Sequence, residues 1–161
     1  MISLLFLSIL TTFYHFCAGS IVLNFLKINT KQTYYDFSLI CLFGTIFLSF
    51  IALFSNFFIS LDSDFNTFIF ILVIFIFLII QKNRNYNLLF SRELFVFLII
   101  CSVGIFLFLV LSNIYRPDAG LYHYPYSNIL NENKIIIGIS NLHQRFGHVS
   151  ILQYLKILPD K

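Results

Sequence analysis

Long apolar runs, separated by short polar connectors, organise the first two thirds of the chain. They occupy positions 2–26, 37–60, 65–80 and 94–114. A helix needs about 20 mainly apolar residues to cross about 30 Å of hydrocarbon. The first run is interrupted by Tyr14, His15 and Asn24, and the second only by Asn56 among strongly polar residues. The third is short but almost wholly Phe, Ile, Leu and Val, and the fourth ends just before Arg116 and Pro117. Membrane strands would alternate apolar and polar positions, and these runs do not. The pattern therefore predicts an all-α polytopic membrane protein. About four transmembrane helices fill residues 1–114, and 115–161 form an outward-facing loop segment with short interfacial helices.

The first run is expected to be an uncleaved span. It has no basic n-region, and Tyr14, His15 and Phe16 before Cys17 are too large for a processing site. Charge in the connectors then gives an orientation. Lys27 and Lys31 lie between the first two runs, and Lys82, Arg84 and Arg92 between the third and fourth. The remaining connector carries Asp62 and Asp64 and no basic residue. Basic loops stay cytoplasmic, so the N-terminus and 115–161 are expected on the extracytoplasmic side of the cytoplasmic (inner) membrane.

Composition agrees with a lipid environment. The 161 residues are 59% hydrophobic and 11% charged, against about 25% charged in soluble domains. A soluble fold of this size lacks the interior volume to hide so much apolar surface. The three cysteines, Cys17, Cys41 and Cys101, sit inside apolar runs without metal-ligand spacing and read as small packing residues. A net charge of +3, dispersed along the chain, argues against nucleic acid as a partner and leaves the lipid bilayer. Buried His15 is a functional candidate by location, although Tyr14 and Thr12 point to a satisfied helix–helix contact.

The segment 115–161 differs in kind, holding three of the four histidines and all three prolines. Its apolar stretches at 135–139 and 149–158 are too short to span. The second sets Ser150, Gln153 and Lys156 among apolar residues and reads as an amphipathic interfacial helix. Two polar constellations stand out. In Arg116-Pro117-Asp118-Ala119-Gly120-Leu121-Tyr122-His123, Pro117 stops the preceding helix. Asp118 then either caps a short helix carrying Tyr122 and His123, or presents its carboxylate where headgroups meet water. In the second role it takes a proton from an attacking hydroxyl, or holds a divalent cation such as Mg or Mn against a phosphate. The other constellation is Gly138-Ile139-Ser140-Asn141-Leu142-His143-Gln144-Arg145-Phe146-Gly147-His148. Here Arg145 offers a planar fork for phosphate, with Asn141 and His143 as hydrogen-bonding groups. An ordered loop whose polar groups satisfy one another remains the plain alternative. His143 and His148 are five apart, off a common helix face, so no metal site is expected from the histidines.

The stretch Asp118-Ala-Gly-Leu-Tyr-His, followed by Ser140-Asn-Leu-His-Gln-Arg-Phe-Gly-His, resembles bacterial polytopic membrane proteins similar to the GT-C glycosyltransferases, over about 115–154. That class uses polyprenyl-phosphate-linked sugars, and an acidic residue in an early outward loop serves as base or metal-binding residue. The resemblance implies Asp118 as the catalytic residue, and Tyr122, His123, Asn141, His143 and Arg145 as substrate-binding residues. The class commonly has paired acids in that loop, whereas Ala119 follows Asp118 here. It also has more spans than the four expected here, so an N-terminal portion of a larger enzyme is expected. The expected activity is sugar transfer from a lipid-phosphate carrier. A non-catalytic subunit of surface-polysaccharide assembly or export, or an inactive fragment, is the alternative.

Overall fold

The computed structural model describes residues 2–28, 34–83, 92–111, 121, 123–141 and 154. Among the described residues five α-helices follow one another: α1 (Ile2–Phe25), α2 (Tyr34–Asn56), α3 (Ser63–Asn83), α4 (Arg92–Leu111) and α5 (Tyr124–Glu132). A 3₁₀ turn, Ile139–Asn141, comes after them. No strand occurs among the described residues. The stretches Ile2–Phe25, Asp36–Asn56 and Ser63–Lys82 are each long and apolar enough to cross a membrane. In hydrocarbon a helix satisfies its backbone groups internally, which explains why such sequences adopt no other form.

Local chemistry sets the helix ends. Asp62 is the N-cap of α3, its Oδ1 accepting from the Phe65 backbone N–H at 2.9 Å. At the end of α1 the backbone N–H of Ile28 donates to the Leu23 carbonyl at 3.0 Å, and that of Lys27 to Asn24 at 3.1 Å. This is a Schellman closure, and it puts Lys27 at φ 56°, a left-handed position usually given to glycine.

The chain divides into two compact units. The first comprises Met1–Phe47 and Phe70–Asn113, and the second Leu48–Ile69 and Ile114–Lys161. In the first unit, α1 meets α2 at two glycines. A methyl group on Gly19 would lie 2.6 Å from the Ile40 carbonyl carbon and 3.0 Å from the Gly44 nitrogen. One on Gly44 would lie 2.8 Å from the Gly19 nitrogen and overlap the His15 carbonyl. Only hydrogen fits at either Cα, and membrane helices use small residues for such close approach. Around this crossing the aromatic rings interlock. Phe16 meets Phe37 edge-on at 5.9 Å and Phe77 at 6.1 Å, and Phe37 meets Phe97 at 5.7 Å. Phe16, Phe37 and Phe77 are fully buried.

Helices α1 and α4 are joined by hydroxyls. Ser8 Oγ donates to the Ser102 carbonyl at 3.2 Å, and Ser102 Oγ donates to Thr12 Oγ1 at 3.4 Å. All three residues are buried. By contrast Phe50, Ile71, Phe75, Phe95, Ile100 and Phe108 are exposed, which suits side chains solvated by lipid.

Candidate functional site

Four of the residues implied by the sequence, Asp118, Tyr122, His143 and Arg145, lie outside the described residues. His123 and Asn141 lie within them, both in the second unit. Leu121 and His123 have π-helical backbone, and His123 leads directly into α5. His123 occupies the N-cap position of α5 with helical φ −70° and ψ −48° and makes no side-chain cap. Its carbonyl accepts from Ser127 Oγ at 3.0 Å. Asn141 is exposed and closes the 3₁₀ turn, its N–H donating to the Gly138 carbonyl at 2.9 Å. Gly138 has φ 85°, a conformation glycine adopts without strain.

What the second unit builds most firmly is a polar node at Asn56. This side chain is fully buried at the end of α2. Its Nδ2 donates to the Asn133 carbonyl at 3.1 Å and the Ile59 carbonyl at 3.3 Å, with the Leu130 carbonyl at 3.5 Å. Backbone bonds reinforce it: Leu61 N–H to the Leu130 carbonyl at 3.0 Å, and Ile135 N–H to the Asn56 carbonyl at 2.9 Å. The connector between α2 and α3 is thus tied to the end of α5 by bonds on both flanks. Beneath it Ala52, Leu61, Tyr126, Leu130 and Tyr154 form one apolar cluster, with Leu53, Phe65, Ile135 and Ile139 packed against it. Burial, and then the hydrogen bond with Tyr154, push the Tyr126 phenol well above the ordinary tyrosine range.

The amphipathic helix expected over 149–158 is represented by Tyr154 alone, which is helical and buried in that cluster. The rest of that stretch lies outside the described residues. The sequence led to short helices within 115–161 but not to these bounds, because the nine residues of α5 carry no long apolar stripe. The usable signals were Pro125 near its start, where proline's fixed φ favours a first turn, and Tyr126, Ile129 and Leu130 at helical spacing. His15 also differs from expectation. Its Nδ1 is 2.7 Å from the Thr11 carbonyl of its own helix, so α1 itself satisfies that nitrogen. The Tyr14 ring stands beside it at 5.9 Å, while Thr12 Oγ1 donates to the Ser8 carbonyl at 2.8 Å.

Among the described residues no three His, Cys, Asp or Glu side chains are gathered to hold a metal ion. Asp118, where the sequence leads to a divalent cation, lies outside the described residues. Neither a curated protein nor a solved structure matches this chain. A family profile described as a domain of unknown function, DUF8201, matches residues 1–156. Nearly the whole chain is covered, and the protein belongs to that family.

Proposed function

We propose that the chain forms part of a GT-C-like membrane glycosyltransferase acting on the outer face of the cytoplasmic membrane. In this reading α4 is a fourth span, and the N-terminus and 115–161 are extracytoplasmic. Asp118 takes the proton from an acceptor hydroxyl as that oxygen attacks the sugar carbon. The bond from sugar to lipid phosphate breaks, and the phosphate leaves on its carrier, held by Arg145 with His123 or His143. Tyr122 and Asn141 supply hydrogen bonds to the sugar.

The observation that carries this reading is the pairing of topology with residue chemistry. Helix α3 is long and apolar enough to cross away from the connector that starts it. The end of α5 is nevertheless hydrogen-bonded back to that same connector. Reading α4, with its 20 apolar-rich residues, as a return crossing between them accounts for both. Because the connector carries acids and the loops on either side of it carry bases, the positive-inside rule supports placing it, and the turn bearing Asp118, outside.

Two measurements test the proposal. A carboxylate acting as general base contributes about 10²–10⁴-fold, so Asp118→Asn should lower sugar transfer at least about a hundredfold. Unchanged transfer would remove Asp118 from the chemistry. A cysteine placed at Ser127 should react with an impermeant reagent from outside, and one at Asn83 only from the cytoplasm. A cytoplasmic Ser127 would overturn topology and function together. A non-catalytic subunit of polysaccharide assembly is the second reading. It is favoured by the way Ser8, Thr12 and Ser102 are used in helix contacts.

A further inference from the structure

The connector 57–62 joins two segments that are each long and apolar enough to span a membrane. Its depth is thereby fixed at the boundary between hydrocarbon and water, and the bonds from Asn56 and Leu61 hold the end of α5 at the same level. Between these elements lies a cavity of about 440 Å³, within the range of about 300–1,000 Å³ typical of small-ligand sites. Phe58, Ile59 and Phe65 give it apolar wall, and Asp62, Glu132 and Lys134 give it charge.

The charges are of both signs. Two carboxylates stand against one ammonium, while the partial negative charge at the carbonyl ends of α2 and α5 is opposed by the N-terminal amides of α3 that Asp62 caps. Asp62 uses Oδ1 to cap α3, which leaves its other oxygen for a ligand. Such a lining disfavours a bare anion and favours a molecule carrying an ammonium group beside a single anionic group. Next to the cavity, Phe54, Phe57 and Phe58 are 67%, 56% and 64% exposed. Exposed rings at this depth suit contact with acyl chains.

We propose that this cavity binds the headgroup of a zwitterionic aminophospholipid of the phosphatidylethanolamine type. The ammonium lies against Asp62 and Glu132, the phosphate against Lys134, and the glycerol and first methylenes against Phe58, Ile59 and Phe65. This site is separate from the turns bearing Asp118 and Arg145 and does not depend on their having any activity.

The test uses the full chain in detergent, exchanging bound lipid and counting it by native mass spectrometry. Phosphatidylethanolamine should be retained over phosphatidylglycerol by about fivefold, the scale of two solvent-screened charge contacts. Phosphatidylcholine should fall between them, because its methylated nitrogen keeps the charge but cannot donate a hydrogen bond. Glu132→Gln, at an exposed position, and Asp62→Asn, which keeps a cap acceptor, should together bring the preference near unity while far-UV circular dichroism is unchanged. Equal or better retention of phosphatidylglycerol, or a preference unmoved by Glu132→Gln alone, overturns the proposal. Competition by soluble phosphoethanolamine at concentrations matching the lipid would assign the site to a free metabolite and overturn it equally.

Discussion

Replacing Gly19 with alanine sets two physical effects against each other, and the structure decides the sign. Alanine is the better helix former by about 1 kcal/mol, so helix propensity alone predicts a more stable protein. At Gly19, however, the new methyl would meet the backbone of α2, 2.6 Å from the Ile40 carbonyl carbon and nearer still to its oxygen. Ordinary van der Waals contact begins at 3.4 Å. Backbone atoms cannot rotate aside as a side-chain terminus does, so α1 and α2 must separate. That separation loosens Phe16 from Phe37, whose rings now sit 5.9 Å apart. Overpacking of this kind costs about 1–3 kcal/mol, and the rigid neighbour places Gly19→Ala at the upper end, near a net loss of about 2 kcal/mol once propensity is subtracted. The internal control is Gly104→Ala in α4, where an added methyl meets nothing within 4 Å. That variant should be neutral or slightly stabilised. The assay is reversible unfolding in mixed micelles followed by far-UV circular dichroism, with Gly44→Ala and the Gly19/Gly44 double variant alongside. The two sites share one contact, so the double variant should lose less than the sum of the singles. A Gly19→Ala protein as stable as Gly104→Ala would refute the close crossing.

Other outcomes follow from the same contacts. Ser102→Ala removes the hydroxyl that donates to Thr12 and should cost about 0.6 kcal/mol, at most about 1.7, in the same unfolding assay. Asn56→Leu keeps the side chain's bulk but leaves the carbonyls of Asn133 and Ile59 without their donor. It should cost about 1–3 kcal/mol, read as faster proteolysis between α2 and α3. Tyr126 favours its neutral form in the folded state, because burial and Tyr154 raise its pKa. Its contribution is present in full below the ordinary tyrosine pKa of about 10 and is lost as pH rises above it. A phenolate absorbance titration should show one late-titrating tyrosine fewer in Tyr126→Phe than in the native protein.

The apolar runs already fixed which segments become helices. The expected run 2–26 corresponds to Ile2–Phe25, 65–80 to Ser63–Asn83, and 94–114 to Arg92–Leu111. The second run was placed slightly late, 37–60 against Tyr34–Asn56, because Phe57, Phe58 and Ile59 prolong the apolar pattern past the helix end. Apolar composition cannot distinguish a lipid-facing helix from an exposed turn at the membrane surface. Short helices were expected within 115–161, but the bounds of α5 were not legible for the converse reason, since a short helix is held by neighbours and not by its own pattern.

Membership of the membrane and the helical state were thus decided by sequence alone. Twenty apolar residues in hydrocarbon have one way to satisfy their backbone, whatever surrounds them. Which side chains meet was decided only by tertiary structure. Nothing in the spacing of Gly19 and Gly44, 25 residues apart, announces that they let two helices touch. Nor does the sequence reveal that Asn56 holds the end of α5, or that Asp62, Glu132 and Lys134 line one cavity. Burial of an apolar run is a summed property that a local window can read. A hydrogen bond or a close approach is a property of two distant positions, and exists only once the chain has brought them together.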